Sequence, residues 1–473
     1  MKLRILSIVA ALFAVTTLFA QQKSVKVNSL EELLPVLKQS NQSVVMTPGT
    51  YRVTAKDIKA GKFPDQSEVT ENSFKNVLLL LTGNDNTFDF SGVTLEVETA
   101  VFNSFGNKNE LHDLHVLGSR NVVKNLKIQD IGKETDAPRY GCTNIVVDGA
   151  NNRLEGVELR STGSSPYGYG EIFGKGRVKT MGLRKHSALL VRGDYNHLLN
   201  CKVYHFAFGH FIFMQSAKCP TIEGCYVEGK MNTTDNILKE AGTGSAADKI
   251  EFKTIYGYKA PKGYTLALGE DGIRTYNRGA TMVDGVRLTR GTNDVTVKNC
   301  VVKHARGGVA LTLSTGERIV ENVTLIGCQG GFNVGSGGKI INCRADAAFG
   351  PALTAHYEKD KNLTAEITIM PYEGEKYVGN GSKQVVHLIG TGHNVTLHRG
   401  EGLKEDKDME ITIGGDRRTV GELAEVSDYT ASGITLVNET NYQIKIGEKA
   451  TNNKISTKGK VEDKGSANTI TKL

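Results

Sequence analysis

Lys185, His210, Arg274 and Arg287 are the side chains with which this chain could move a proton beside an anionic group. Lys or His can act as general base, and Arg presents a planar fork of donors to a carboxylate. Residue type alone says little, because Lys and Arg cover every soluble protein and a lone His often satisfies a local hydrogen bond. What singles these out is where they fall. Lys185, His210 and Arg287 hold outward places at matching points of one repeated phrase, and Arg274, in EDGIRTYNRG, joins them if that segment is a strand.

The phrase reads apolar strand, Gly, two or three residues often including Asn or Asp, apolar-x-apolar, Asn or Gly, then apolar-x-apolar. It is written in HVLGSRNVVKNLKI, IVVDGANNRLEGVEL, LLVRGDYNHLLNCKV, MQSAKCPTIEGCYV, RLTRGTNDVTVKNCVV and LTLSTGERIVENVTL, and shortened in GSGGKIINCRA. The Asn/Gly position falls at Asn125, Gly156, Asn200, Gly224, Asn299, Asn322 and Asn342. Most intervals are one or two turns of about 22 residues, and the two odd ones contain insertions. Short strands with no helical segment between them predict an all-β fold, a single-stranded right-handed parallel β-helix whose coils stack at about 4.8 Å. Asn suits the sharp bends because it tolerates left-handed backbone. A leucine-rich repeat is disfavoured, since inward Val, Ile and Cys alternate and nothing helical intervenes.

The ends and interruptions follow from composition. Residues 1–20 have Lys2 and Arg4, an apolar run and a small residue at Ala20, which is the layout of a cleaved secretory signal and predicts a secreted or periplasmic protein. No later stretch is apolar and long enough for a membrane span. Residues 21–42 are read as an N-terminal cap, with a short helix opened by Ser29 and Glu32. Residues 43–473 are read as the β-helix, interrupted near 162–182, 230–270 and 401–430, the last as a surface hairpin. The chain is read as a monomer. Its formal charge of +7 includes the two leader cations, and no Lys/Arg run interleaves with aromatics, so no nucleic acid is expected. Cys201, Cys225, Cys300 and Cys343 recur at equivalent places, which predicts buried stacked thiols rather than disulfides.

On these coils the chain resembles the pectin-lyase-like superfamily of secreted, polysaccharide-acting parallel β-helices. The resemblance spans most of residues 43–400 and implies the fold; members include lyases, hydrolases, epimerases and non-catalytic modules. In that superfamily the strand ahead of each Gly usually floors the substrate groove. Counting back from VALTLSTG puts Lys185, Ser187 and Leu189, then His210, Ile212 and Met214, then Arg287 and Thr289 outside, and Phe211 and Phe213 inside. His205, His304 and Arg306 follow in the next turns, and Tyr169, Tyr258 and Tyr276 offer rings for stacking on sugars.

A groove of Lys, His, Arg and Tyr suits β-elimination on an acidic, uronate-containing polysaccharide: a base for the C5 proton, a cation for the carboxylate, an acid for the leaving oxygen. His210 or Lys185 is the expected base, Arg287 or Arg274 the clamp, and a loop Tyr the acid. The set resembles lyases of this fold that pair Lys with Arg. No Asp cluster of the calcium-binding kind is seen, so no metal ligands are assigned and calcium stays an open expectation. Glu270 and Asp271 supply the alternative, a glycoside hydrolase, and a carbohydrate-binding or adhesive module is the third reading.

Overall fold

A computed structural model describes residues 22–63, 75–165, 174–175, 178–179, 184–253, 259–355, 357–372, 383–416 and 428–473. Three parallel ladders run through it, each coil giving one short strand to each. In the first, Leu114, Ile145, Leu189, Ile212, Ile273, Val309 and Phe332 lie in register, one per coil. The second stacks Val123, Leu154, Leu198, Ile222, Val297, Val320 and Ile340. The third stacks Leu95, Ile128, Leu159, Val203, Val227, Val302 and Leu325. All of these are buried in one continuous core, so the chain is the expected all-β parallel β-helix.

The bends behave as the sequence requires. Asn125, Asn200, Asn299, Asn322 and Asn342 have φ between 47° and 59°, and Gly156 and Gly224 both have φ of 65°. This is the left-handed region, where a β-branched residue would be strained. A second file of Asn holds the interior of another bend: the amide oxygens of Asn86, Asn121, Asn152 and Asn196 accept from the backbone N–H of Gln42, Asn86, Asn121 and Asn152 at 2.8–3.1 Å.

At the N-terminal end the helix Leu30–Val36 is capped as expected, with Ser29 Oγ accepting from Glu32 N at 3.2 Å. Its Leu30, Leu33 and Val36 are buried over the first coil, where the strand Lys23–Val27 pairs with Gln42–Met46. Among the described residues no helix is long and apolar enough to cross a membrane. The first 21 residues, which include the expected leader, lie outside the described residues.

The cysteines are all free thiols, and Cys201, Cys225, Cys300 and Cys343 are buried in the column. Burial pushes the neighbouring Cys328 thiol up to about 12. Cys219 alone is only half-buried. A thiol reagent at neutral pH is therefore expected to label one cysteine per native chain and seven after denaturation; rapid labelling of several in the native protein would contradict the buried stack.

The interior also holds an acid pair. Asn144 Nδ2 lies 2.7 Å from Asp113 Oδ2 and 3.4 Å from Asp130 Oδ1, and its own oxygen accepts from Ser161 Oγ at 2.6 Å. Asp130 also faces His186 Nε2 at 3.5 Å. Burial carries Asp113 up to about 7, and burial with the Asp113 charge holds Asp130 well above the usual range, while burial lowers His186 to about 4. A carboxyl whose pKa is raised by folding keeps a proton that the unfolded chain has lost. Its stabilising contribution is full below about pH 4, the unfolded value, and is lost as pH rises towards 7. Asp113→Asn is expected to melt above the parent at pH 8 and to match it near pH 4. Thermal melts across that range check this, and a pH-independent difference would contradict it.

Candidate active site

The floor of the site is the outward face of the first ladder between Glu110–Val116 and Gly307–Ala310. Simple alternation fails there at one point. Ala188 and Leu189 both face the core, as do Phe211 and Ile212, and Leu78 and Leu79 at the same register. Each strand bends with two consecutive residues inward, so parity reverses afterwards. Leu189, Ile212 and Met214, expected outside, are therefore core residues. Phe213, expected inside, faces out and packs with Val146, Leu190 and Tyr276 in a separate apolar strip.

Before the bend the expectation holds, and the chemistry collects there. His210 Nε2 lies 2.5 Å from Glu270 Oε2, 2.6 Å from the Tyr276 hydroxyl and 3.3 Å from Lys185 Nζ. Lys185 Nζ is also 2.8 Å from Glu270 Oε1. One coil on, Arg306 Nη2 reaches Asp271 Oδ1 at 3.1 Å, and the Arg274 guanidinium pairs with the same carboxylate. Arg274 also lies over the Tyr276 ring, 4.8 Å from its centroid. Gly307 is opposite Asp271, and a Cβ there would meet Oδ1 at 2.4 Å, so a larger residue would push the carboxylate out of its place.

Depth separates these groups. The Glu270 and His210 side chains are 1% and 2% exposed, whereas Lys185 is 41% exposed and Arg274 22%. Burial alone would raise Glu270, but the His210 interactions and the Lys185 and Arg306 charges outweigh it and hold the carboxyl well below its usual range. Burial is the largest influence at His210 and lowers the imidazole, against the Glu270 charge, which raises it. Burial pushes the Tyr276 phenol up, beyond what the Arg274 charge offsets. An ionised Glu270 at 2.5 Å calls for the proton on His210 Nε2, a single hydrogen that the Glu270 carboxylate and the Tyr276 oxygen share. Three cations, Lys185, Arg274 and Arg306, face two carboxylates, leaving one positive charge in excess.

Tyr276 is thus a central member, on a strand and not on a loop as the expected acid was. Glu270 and Asp271, singled out as hydrolase acids, are each paired with cations. Glu270 enters from the insertion at 230–270, which is more than padding: the strands Met231–Thr233 and Thr265–Ala267 pair antiparallel, and Ile237, Ala247, Phe252, Ala260 and Leu266 form a small core of their own. The 401–430 insertion is narrower than expected, since Glu410–Ile413 belongs to the column and antiparallel pairing joins Gly415–Asp416 to Asp428–Tyr429.

Arg287 is not on the floor. The segment read as a coil strand is the second arm of an antiparallel hairpin, Gly279–Val283 with Val286–Arg290, and Arg287 lies exposed opposite Met282. The repeat phrase misled because its true strand begins later, at Thr292. The hairpin runs along the column axis towards the N-terminal end. Thr281 Oγ1 donates to Asp148 Oδ1 at 2.6 Å, Gly149 N donates to Met282 O at 2.8 Å, and Asp284 Oδ1 accepts from Ser119 Oγ at 2.7 Å. Arg290 pairs with Asp194 and donates to Ser216 O at 3.1 Å. It therefore walls one side of the floor over four coils, three steps or about 14 Å.

Beneath the wall Asp148 also accepts from His115 Nε2 at 2.7 Å and from Arg192 Nη2 at 2.5 Å. Burial opposes its ionisation, yet the Arg192 charge and His115 bring it down to about 2.

The other expected residues fall elsewhere. His205 is fully buried inside the column, against the rings of His186 and Phe211, so substrate cannot reach it. Its strand pattern alternates cleanly inward, which the count from the Gly did not cover. His304 sits in a left-handed bend beside Glu228 and Lys303. Tyr169 and Tyr258 lie outside the described residues. As for calcium, no group of three or more His, Cys, Asp or Glu among the described residues is arranged to hold a metal ion, and Glu270 and Asp271 are engaged by cations.

No family model and no curated protein matches the chain. Among solved structures, a mannuronic acid specific polysaccharide family 6 lyase from human gut microbiota aligns with 95% of this chain and 83% of its own, at 11% identity and TM-score 0.44. An alginate lyase from Paenibacillus sp. str. FPU-7 aligns with 95% and 99%, at 10% identity and TM-score 0.34. The catalytic domain of a GH87 alpha-1,3-glucanase in complex with nigerose aligns with 95% and 68%, at 10% identity and TM-score 0.36. At identities and TM-scores this low, the likenesses carry no argument about reaction or substrate.

Proposed function

We propose that the chain is a secreted lyase that cleaves an acidic, uronate-containing polysaccharide by β-elimination. The observation that carries this reading is the contact of Lys185, His210, Glu270 and Tyr276 within 2.5–3.3 Å, flanked by Arg274 and Arg306. Lys185 is the exposed member and takes the C5 proton in its uncharged form. The C5–H electron pair forms the C4–C5 double bond, the C4–O bond breaks, and the leaving oxygen takes the Tyr276 proton. The products at the site are a Lys185 ammonium and a Tyr276 phenolate. His210 Nε2–H and the Arg274 charge stabilise that phenolate, and Arg274 also faces the substrate carboxylate as negative charge spreads onto it. Loss of the proton from Lys185 to water and its regain from water by Tyr276 reset both groups.

The hydrolase reading is weaker on electrostatic grounds. A glycosidase acid needs a raised pKa, whereas Glu270 and Asp271 are both held low by their cations. The test is incubation with alginate, pectic, glycosaminoglycan and neutral polysaccharides, read for ultraviolet absorbance of the new double bond. Elimination on an acidic polymer is the expected result. Reducing ends without that absorbance would mean hydrolysis, and binding with neither signal would mean a non-catalytic module; each overturns the proposal.

A further inference from the structure

The floor carries a second cationic point that the elimination step does not use. Arg192 follows Val191, which lies in register with Met214 and, one coil further, Thr275; the ladder slips by one residue at Arg192, before Gly193 pairs with Ala217, so Arg192 lies two coils N-terminal of Tyr276 on the same ladder, offset by that bulge. Two steps of the column are about 10 Å, a span comparable to a disaccharide. The apolar surface of Leu190, Phe213 and Tyr276 connects the two points, and the 279–290 hairpin bounds them on one side.

The Arg192 side chain is 17% exposed and is fixed at one end by Asp148. Asp148 is buried, and Thr281 and His115 occupy its remaining acceptor positions, so it can neither swing nor be displaced by a ligand. The Arg192 Nε is buried and, among the described residues, has no hydrogen-bond partner, so the exposed part of the side chain lies among its other atoms. With Nη2 on Asp148 the guanidinium plane is fixed, and the terminal donors are held in the planar geometry that a carboxylate accepts from.

We infer that Arg192, oriented by Asp148, binds a second carboxylate of the polysaccharide, a disaccharide away from the scissile bond. The substrate then lies along the column axis beside the hairpin, and its affinity depends on chain length and on charge at that residue. This rests on the acidic-polysaccharide reading for the chemistry of the ligand and does not require that the reaction be elimination.

The experiment measures calorimetric binding to the Tyr276→Phe protein, which preserves the ligand. The probes are tetrasaccharides of mannuronate, guluronate and galacturonate, and the same tetrasaccharides with their carboxyl groups reduced to alcohols. Arg192→Gln is expected to weaken the best charged probe by about tenfold or more, as loss of a charge-assisted pair should, and to leave the reduced probe unchanged. Arg192→Lys keeps a cation against Asp148 and should fall between, with a parent-like melt. Arg153→Ala removes an exposed charge on the second ladder, where Arg153 pairs with Glu155 at 2.9 Å, and should bind like the parent. Equal losses for charged and reduced probes, or none for either, would overturn the subsite. A parent that binds none of the probes overturns it together with the acidic-polysaccharide reading. Elimination without the Arg192 effect overturns the subsite alone, and the Arg192 effect without elimination leaves the subsite standing while the lyase reading falls.

Discussion

Tyr276→Phe is expected to lower turnover of the acidic polysaccharide by about 10²–10⁴-fold, the usual worth of a positioned acid, with a small change in KM. The hydroxyl is the group removed, and it lies 2.6 Å from His210 Nε2. Burial raises the phenol, so it stays protonated through neutral pH and can deliver its proton only where the leaving oxygen develops charge. The ring remains, and with it the packing against Phe213 and the Arg274 contact, so the melting temperature should move little. A single hydrogen bond contributes about 1 kcal/mol net to stability. Steady-state kinetics beside a thermal melt decide the matter: a variant with parental turnover would remove Tyr276 from the acid role.

Lys185→Met should cost turnover on the same scale, and the comparison with Glu270→Gln is what makes it informative. Lys185 is 41% exposed, but its loss takes a cation from the buried Glu270 carboxylate, so Lys185→Met removes the base at some cost in stability. Glu270 is buried beneath it and faces both Lys185 and His210. Glu270→Gln is therefore expected to lower turnover and stability together, since removing one partner of a buried pair costs about 3–5 kcal/mol, less here because the Lys185 end reaches water. Parental turnover in Lys185→Met would move the base elsewhere.

Much of the architecture could be read before any coordinates because the coil imposes itself residue by residue. Asn125, Asn200 and Asn299 mark bends since few other side chains accept that backbone at low cost. His210 and Lys185 were legible as outward for the same reason, being counted along a strand before it bends. Past the bend the count failed at Leu189, Ile212 and Phe213, because two inward residues in a row depend on the coil's cross-section, which no local pattern encodes. Arg287 failed differently: a short β-branched and basic run fits an antiparallel arm as well as a coil strand, and only the long-range contacts of Thr281 and Asp284 distinguish them. Glu270 and Asp271 were visible as acids, but sequence shows a charge without its partners, and the partners decided their use.

The hairpin at 279–290 leaves the column after Tyr276 and returns at Thr292, within a single coil. Its anchors, Asp148, Ser119 and Asp194, belong to coils on the N-terminal side, so it spans the stack like a brace fixed to rungs that were complete without it. Pitch and wall are therefore independent parts. The column is a ruler whose gradations are set by backbone pairing, and the brace sets how wide a face is left beside it. On the proposed function, changes in hairpin length would alter breadth of substrate choice while Lys185, His210 and Tyr276 keep their spacing.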